Sequence, residues 1–349
     1  MGAIDSDAHV IECETTFSYI EPAYRGYKPW VTVKKSDDVT IADNAGGTQT
    51  EFWVIDGRLQ PMESNVGSNT AKESREMANI DARLAHMDEL EIDVQVLYPT
   101  VFLRPWTEDP TCELVICRAY NRWLADIWSK APTRLRWAAM VPLLSMDKIA
   151  DELRFAKDHG AVGVFLRGLE RDMQFSNPYF FPLYKTAETL DLAICFHSGN
   201  GSFNSYNIWG HESGIGRGKL QIVAAFHALL MAGVPARFPK LHWGFIEASA
   251  EWIPFALNDL ELRIRRKGKR MSPTILRDNR FFVTCLVTDH LDFILPYAGE
   301  GQLIVGTDYG HADNSAEIEA MRKLKNDGRI PPGVADKILN DNARTFYRL

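Results

Sequence analysis

The sequence has no apolar run long enough to span a membrane and no cysteine spacing that builds a zinc ribbon or a redox motif. No segment approaches about 18 consecutive apolar residues, so we expect no transmembrane helix. We expect no signal peptide either, because Asp5 and Asp7 interrupt the first apolar stretch. The five cysteines are odd in number and never spaced as CxxC, which excludes zinc-ribbon and thioredoxin-like proteins. This usage favours reduced thiols in a cytoplasmic protein.

The chain also lacks an excess of positive charge. It has 39 lysines and arginines against 46 acidic residues, a net charge of -7. This balance argues against nucleic acid as a partner, because such binding requires neutralisation of phosphates. The clearest basic run, RIRRKGKR at 263–270, is interpreted as a solvated helix end. The remaining composition, 46% apolar and 24% charged over 349 residues, is typical of a globular enzyme with a large core.

Short apolar runs recur along the chain and alternate with helical patterns from about residue 90 onwards, which predicts βα units and a parallel sheet. The predicted strands are 3–7, 94–98, 136–143, 161–166, 192–196, 241–246, 281–285 and 302–305. Helical spacing of apolar residues is found at 81–91, 113–129, 147–159, 178–190 and 220–231. Eight strands separated mostly by helices predict an α/β fold, a (βα)8 TIM barrel.

Residues 24–75 interrupt this alternation. They contain WVTVKK, VTIAD and FWVIDG with a Gly-Gly pair, which predict small antiparallel strands joined by turns. We predict a single domain over 1–349, in which 24–75 form a β-rich insertion after the first strand that caps the barrel mouth. Residues 199–218 are rich in Gly, Ser and Asn and are predicted to be an active-site loop or lid.

Polar side chains end several of the predicted strands. Asp7 and His9 lie in IDSDAHV, His197 in LAICFHSG, Glu247 in LHWGFIEAS and Asp308 in QLIVGTDYGHAD. In a parallel barrel the strands end at one face, where these side chains would converge. Asp7 and His9 are two residues apart in a strand and therefore point the same way. Two imidazoles and three carboxylates suit a divalent transition metal, so the sequence predicts a metal site.

Each of these residues also has a structural alternative. The Asp-Ala-His segment could form a surface turn, His197 a hydrogen-bonded core histidine, and Asp308 a loop cap. Glu247 ends an apolar run, where its charge requires a cation. That cation would be a metal or Arg167, although Arg167 could instead hold a substrate carboxylate.

Asp308 is expected to bind metal and also to accept a proton from metal-bound water. Three further residues lie near the predicted ligands in the sequence. Glu12, His311 and Asp313 either orient a ligand, touch substrate or are plain loop residues. The remaining histidines are expected to be mainly structural: His86, His159, His211, His227, His242 and His290.

Several segments together resemble the amidohydrolase superfamily. They are IDSDAHVIE, RLAHMDELEIDVQVLYPT, AYNRWLADIW, VGVFLRG, FPLYKTAETLDLAICFHSG, RFPKLHWGFIEASAEWIPF and LIVGTDYGHAD. The chain is most similar to the branch that includes aminocarboxymuconate semialdehyde decarboxylase and related aromatic-acid decarboxylases. The resemblance covers almost the whole chain and implies a (βα)8 barrel with a divalent metal at the strand ends.

The resemblance also identifies where this chain departs from its family. Asp7 and His9 match a pair that is often HxH, His197 matches the fifth-strand histidine, and Asp308 matches the eighth-strand aspartate. Glu247 stands where a histidine is common. This exchange implies a site richer in oxygen, which favours manganese or iron over zinc and permits one or two ions.

The observations predict a metal-dependent lyase or hydrolase that acts on a small carboxylated aromatic or cyclic compound, as a homo-oligomer. In a decarboxylase, the metal would orient the carboxylate, Asp308 would move the proton, and Arg167 or His311 would neutralise developing charge. In a hydrolase, metal-bound hydroxide would attack with Asp308 as base. Two alternatives stay open: a non-haem diiron oxygenase on this scaffold, and a binding protein that lost its metal.

Overall fold

The computed structural model describes residues 2–33, 51–62, 65–209 and 214–349. In chain order the strands are β1 (Ala3–His9), β2 (Trp30–Val33), β3 (Glu51–Ile55), β4 (Arg58–Pro61), β5 (Ile92–Tyr98), β6 (Leu135–Ala139), β7 (Ala161–Arg167), β8 (Ala193–His197), β9 (Trp243–Ile246), β10 (Phe281–Cys285) and β11 (Leu303–Val305). Within the described residues, β1 and β5 to β11 form one eight-stranded sheet in chain order, with parallel pairing throughout.

The first strand closes this sheet against the last. The amide of His9 donates to the Tyr309 carbonyl at 2.9 Å, and the amide of Asp308 donates to the Asp7 carbonyl at 2.8 Å. These bonds lie just beyond the end of β11, so the seam forms at the C-terminal ends of the two strands. The predicted (βα)8 barrel is therefore confirmed.

Helices cover the outside of the barrel, so its strands are buried on both faces. The near-continuous apolar runs predict this burial. The α-helices are α1 (Glu14–Ser18), α2 (Lys72–Arg75), α3 (Ile80–Glu89), α4 (Pro110–Lys130), α5 (Ile149–Asp158), α6 (Phe181–Thr189), α7 (Phe203–Ile208), α8 (Leu220–Ala232), α9 (Val234–Arg237), α10 (Trp252–Arg266), α11 (Ile275–Asp278), α12 (Leu291–Ala298), α13 (Ala320–Lys325), α14 (Pro332–Asp336) and α15 (Asn342–Tyr347). Short 3-10 helices span Pro22–Tyr27, Val101–Leu103, Met146–Lys148 and Pro178–Phe180, and π-helical turns span Ile215–Lys219 and Lys337–Asp341.

The strand β6 ends four residues earlier than its apolar run predicts. The run continues to Leu143, but the backbone N–H and carbonyl of Met140 both bond to the side chain of Asn121, at 3.0 and 2.9 Å. Asn121 lies in α4, so a helix side chain replaces the neighbouring strand as the partner of this backbone. The apolar residues that follow are still buried, but outside the sheet.

The helix α15 packs at the end of the barrel where the strands begin, opposite the end that carries the candidate ligands. The ring of Phe346 packs on that of Phe282 with centroids 5.0 Å apart. The hydroxyl of Tyr347 lies 2.7 Å from the Tyr98 hydroxyl and 3.0 Å from the Ser6 carbonyl. Gly244 makes room for this helix, because a Cβ there would lie 2.2 Å from Cζ of Phe346.

The insertion contributes a small antiparallel sheet in which β3 pairs with both β2 and β4. It contacts segments that follow barrel strands: Gln60 donates to the Pro105 carbonyl at 3.0 Å, and the Arg58 guanidinium lies 4.0 Å from the ring centroid of Phe203 in α7. The segment VTIAD lies outside the described residues. The single-domain organisation and the role of 24–75 as a cap over the barrel mouth stay predictions.

Among the helices of the described ranges, none has both the length and the apolar character required to cross a membrane.

Candidate metal centre

The side chains predicted as metal ligands lie together where the barrel strands end. Asp7 and His9 belong to β1, His197 is the last residue of β8, Glu247 follows β9 directly, and Asp308 lies three residues beyond β11. All five are buried, with between 0% and 5% of their surface exposed. The parallel barrel therefore brings residues that are up to 301 positions apart into one cluster.

The donor atoms of this cluster are spaced like neighbouring ligands of one ion. Nε2 of His197 lies 3.1 Å from Oδ1 of Asp7 and 3.2 Å from Nε2 of His9. Nε2 of His9 lies 3.3 Å from Oδ1 of Asp308 and 3.5 Å from Oδ1 of Asp7. Ligands at about 2.0–2.2 Å from a divalent ion are separated by roughly 3.0–3.5 Å from one another. The donor atoms of Asp7, His9, His197 and Asp308 therefore have a spacing that fits one metal ion.

Backbone carbonyls orient the two imidazoles. Nδ1 of His9 lies 3.0 Å from the Pro99 carbonyl, and Nδ1 of His197 lies 3.0 Å from the Ser198 carbonyl. A carbonyl oxygen only accepts hydrogen bonds, so each Nδ1 must carry the proton. When neutral, each ring therefore presents the lone pair of Nε2 to the cluster, which is the arrangement that supports metal-ligating histidines.

The three carboxylates carry more negative charge than the surrounding protein compensates. Asp7, Glu247 and Asp308 each place an oxygen within 4.8 Å of the others. Burial, followed by the charges of Asp308 and Asp313, raises the pKa of Glu247 well above its usual range. Burial and Asp313 likewise raise the pKa of Asp308. Burial also opposes ionisation of Asp7, but His197 and His9 outweigh it and hold the pKa of Asp7 below its usual range.

Several of these buried atoms have no hydrogen-bond partner in the described part of the chain. They include both carboxylate oxygens of Asp308 and Oε2 of Glu247. Oε2 of Glu247 lies 3.2 Å from Nδ1 of His197, but that N–H is directed at the Ser198 carbonyl. Buried carboxylate oxygens without donors are costly unless a cation neutralises them. The residues therefore fit a divalent metal.

The backbone is strained at two of the candidate ligands. Glu247 has φ of 61° and Asp308 has φ of 53°, in the left-handed region that residues with a Cβ seldom adopt. Strained residues of this kind cluster at functional sites, where the surrounding structure holds them in place. Here the left-handed turns direct both carboxylates toward the barrel axis instead of continuing the strands.

Arg167 does not pair with Glu247, contrary to one of the expected arrangements. Its guanidinium forms a bidentate pair with Glu170, with Nε 2.8 Å from Oε1 and Nη2 2.6 Å from Oε2. It also donates to the Arg104 carbonyl at 2.7 Å. Glu170 lies only three residues further along the chain, and its carboxylate pairs with the guanidinium in place of Glu247. The role of Arg167 toward substrate stays a prediction.

The surrounding residues take different positions. The His311 ring stacks on the His9 ring with centroids 3.9 Å apart, so it belongs to the cluster. The Glu12 carboxylate accepts the amides of Thr100 and Val101 at 3.1 and 2.9 Å, and burial raises the pKa of Glu12 to about 7. Asp313 accepts the Ser315 amide at 2.8 Å, so it stabilises a turn.

The histidines expected to be structural have partners outside the cluster. These pairs are His86 with Tyr309, His159 with the Phe155 carbonyl, His227 with Asp259, His242 with the Phe346 carbonyl and His290 with Glu251. His211 lies outside the described residues.

Comparison with known proteins supports the fold and the family. The family model described as amidohydrolase matches residues 4–349. A γ-resorcylate decarboxylase from Polaromonas sp. (strain JS666 / ATCC BAA-500) is 29% identical over 127 residues, which cover 34% of this chain and 39% of that protein. The chain matches less than half the length of the curated relatives found.

Solved structures share the whole architecture. An amidohydrolase from Mycobacterium avium subsp. paratuberculosis K-10 superposes with a TM-score of 0.76 at 19% identity, covering 99% of both chains. A 5-carboxyvanillate decarboxylase from Novosphingobium aromaticivorans DSM 12444, solved with manganese and 4-hydroxy-3-methoxy-5-nitrobenzoic acid, superposes with a TM-score of 0.71 at 16% identity, covering 99% of this chain and 96% of that one. At these identities the likeness shows the fold.

Proposed function

Because the chain belongs to the amidohydrolase family, we propose that it is a metal-dependent decarboxylase of a small carboxylated aromatic compound. The observation that carries the proposal is the buried cluster of two oriented imidazoles and three carboxylates, of which Glu247 and Asp308 have unpartnered oxygens among the described residues. The named activities of the γ-resorcylate and 5-carboxyvanillate decarboxylases among the matched proteins support the same reaction class.

Asp7, His9, His197 and Asp308 would hold the metal, with Glu247 either as a fifth ligand or as a ligand of a second ion. A bound divalent ion would supply the positive charge that attracts the substrate carboxylate and an adjacent oxygen. The three carboxylates favour manganese or iron over zinc. Manganese in the structurally similar 5-carboxyvanillate decarboxylase supports this choice.

The protein side chains would manage the proton. In decarboxylation the bond between a ring carbon and the carboxylate breaks, carbon dioxide leaves, and the electron pair on the ring carbon takes a proton. Asp308 is suited to carry that proton, because one of its two carboxylate oxygens could hold the metal while the other, which has no hydrogen-bond partner among the described residues, accepts the proton. His311, beside Asp308, and Arg167 are the candidates that would neutralise developing charge.

Hydrolysis is the second candidate. It is favoured by the unpartnered oxygens of Asp308, which could accept a proton from a water that attacks a lactone, an amide or a carbon–carbon bond. The diiron oxygenase alternative has no support in the comparisons. Location in the cytoplasm and assembly as a homo-oligomer stay predictions.

The activity is tested with protein stripped of metal and reloaded with Mn²⁺, Fe²⁺ or Zn²⁺. We expect carbon dioxide release from ortho-hydroxylated benzoates, with γ-resorcylate and 5-carboxyvanillate as first substrates, and faster turnover with Mn²⁺ or Fe²⁺ than with Zn²⁺. A parallel panel of lactones and amides tests hydrolysis. Turnover of that panel without carbon dioxide release would replace the decarboxylase proposal with the hydrolase.

The ligand assignment is tested by metal content after purification. His197→Ala and Asp308→Asn are expected to lose most of the bound metal, since the first removes a donor from a spacing that fits one ion and the second replaces a charged oxygen donor with a neutral amide. Glu247→Gln keeps the volume, removes the charge and is expected to lose activity or a second ion while remaining folded. His290→Ala, whose ring is largely exposed and pairs with Glu251, is the control. Full occupancy in His197→Ala would show the assignment to be wrong.

A further inference from the structure

The hydroxyl of Thr100 joins the metal centre to the turn that follows β5. Its Oγ1 lies 2.8 Å from the Val10 carbonyl and 3.0 Å from Nε2 of His311. The residue is 6% exposed, so water does not compete freely for these contacts. The Thr100 amide donates separately to Glu12, which fixes the backbone that carries the hydroxyl.

These two contacts determine which nitrogen of His311 carries the proton. A threonine hydroxyl has one hydrogen to donate, and a carbonyl can only accept. The Thr100 hydrogen therefore goes to the Val10 carbonyl, and Nε2 of His311 must donate to Oγ1. In a neutral ring this leaves the lone pair on Nδ1.

That lone pair faces the candidate metal centre. Nδ1 of His311 is buried and has no hydrogen-bond partner within the described ranges. It lies 2.7 Å from Oδ1 of Asp308, but the two atoms are not aligned as a hydrogen bond. His9, Asp308 and His311 together place one donor atom each within 4.8 Å of the others. A close contact of two acceptor atoms in a buried site is relieved when both bind the same cation.

We propose that His311 is a further metal ligand through Nδ1, and that Thr100 is the positioning residue that directs this nitrogen at the metal. The inference rests on the metal dependence in the proposed function. It changes the expected role of His311 from charge stabilisation to ligation, and it adds a third imidazole to the predicted set. It also assigns a task to a hydroxyl that the sequence pattern does not single out, since Thr100 follows its strand among uncharged residues.

The test measures metal affinity, so it does not depend on turnover. Thr100→Val keeps the shape and removes the hydroxyl, and Thr100→Ser keeps the hydroxyl. Thr16→Val is the matched control, because Thr16 is also fully buried and its hydroxyl accepts the Cys13 amide at 3.1 Å, away from the cluster. Each metal-free protein is titrated with Mn²⁺, followed by the electron paramagnetic resonance of the free ion, and with Co²⁺, followed by its visible spectrum.

We expect Thr100→Val to weaken Mn²⁺ binding roughly 10- to 100-fold, as loss of a residue that orients a ligand usually does, and to change the Co²⁺ spectrum. Thr100→Ser and Thr16→Val should remain close to wild type. A Thr100→Val protein with wild-type affinity and spectrum would overturn the inference. If wild type binds metal but releases no carbon dioxide, the decarboxylase proposal falls while the inference is decided by Thr100→Val alone. If wild type binds neither ion, both fall.

A second measurement uses wild type, in case Thr100→Val fails to fold. Long-range nitrogen–proton NMR of the metal-free protein, with the His311 signals assigned through His311→Gln, distinguishes the two ring tautomers. We expect a protonated Nε2 and a bare Nδ1 whose resonance shifts when diamagnetic Zn²⁺ is added. The opposite tautomer, or an Nδ1 resonance unaffected by Zn²⁺, would contradict the inference.

Discussion

Buried carboxylates in this barrel differ in how the surrounding protein compensates them. Asp5 accepts hydrogen bonds from Thr307 Oγ1 at 2.6 Å and Gln95 Nε2 at 2.9 Å, yet burial raises its pKa to about 6. Glu113 is buried within α4, and its carboxylate accepts the Leu144 amide at 2.5 Å. Burial raises the pKa of Glu113 to about 7. Glu113 lies outside the candidate metal cluster, so no metal ion would neutralise its carboxylate. Protonation is therefore what keeps this buried side chain uncharged.

The raised pKa of Glu113 predicts a stability difference that depends on pH. The native carboxyl binds its proton more tightly than the unfolded one, whose pKa is 4.5, so its contribution is complete below about pH 4.5 and is lost as pH rises toward 7. Glu113→Gln is neutral throughout. Relative to wild type, it should gain about 1–3 kcal/mol in unfolding free energy between pH 5 and pH 8.

Urea denaturation at the two pH values, on metal-free protein, measures this gain. Glu73→Gln, an exposed glutamate in α2, is the control and should show no such change. If the Glu113→Gln difference is the same at both pH values, folding does not raise the pKa of Glu113.

Single residues also show what a sequence can predict about a site. The five candidate ligands were predictable, because each ends an apolar run and parallel strands end at one face. Thr100 and Glu170 were not, since their roles depend on how loops after different strands approach one another. The two possibilities for Arg167 could not be separated for the same reason. The Arg167 guanidinium pairs with the nearest well-oriented carboxylate, which is that of Glu170 in the loop after β7.

Among the elements, α15 shows how a short C-terminal helix is accommodated inside a barrel. Phe346 occupies the space left by Gly244, and Tyr347 reaches into the interior as far as the Tyr98 hydroxyl. The strands themselves are predictable from apolar runs, but this packing is not, because a six-residue helix has too little periodicity to indicate its buried face. The early end of β6 is a similar case, since it depends on the position of Asn121 in α4.

The fit between α15 and β9 predicts that Gly244→Ala is destabilising. A Cβ at 2.2 Å from Cζ of Phe346 forces one of the two elements to move, which should cost about 1–3 kcal/mol of unfolding free energy. Combining it with Phe346→Leu should recover part of this loss, because the smaller side chain vacates the space. Thermal and urea unfolding of the single and double variants give the coupling energy.

Gly301→Ala is the matched control, because a Cβ at that position meets no atom within 4 Å. It should leave stability nearly unchanged. Strictly additive effects of Gly244→Ala and Phe346→Leu would mean that the glycine is required for some other reason than space for the ring.

For the whole molecule, we expect stability to depend on whether the candidate metal cluster holds an ion. Asp7, Glu247 and Asp308 are buried close together, and burial raises the pKa of Glu247 and Asp308. Ionising all three weakens the metal-free barrel, and a bound cation would remove that repulsion. We therefore expect Mn²⁺ at about 100 times its dissociation constant to add roughly 2.7 kcal/mol, seen as a higher melting temperature. Differential scanning calorimetry with Mn²⁺ and with a chelator measures the difference.

Asp308→Asn separates this effect from general ion binding. The variant should be at least as stable as wild type in the chelator, because burial disfavours ionisation of Asp308 and the amide of Asn cannot ionise, and it should gain much less from Mn²⁺. An equal gain in both proteins would place the stabilising ion elsewhere.

The seam between the first and last strands has a consequence for how the protein is made. Residues 3–9 pair at one edge with β5, but their other edge is completed by residues 308 and 309. A ribosome adds roughly 5–20 residues per second, so the first strand waits about 15–60 s for that partner during synthesis. Until then the nascent chain carries an open strand edge, the kind of surface at which chains associate with each other. Slow translation or crowding of nascent chains should therefore increase association at this edge before the barrel closes.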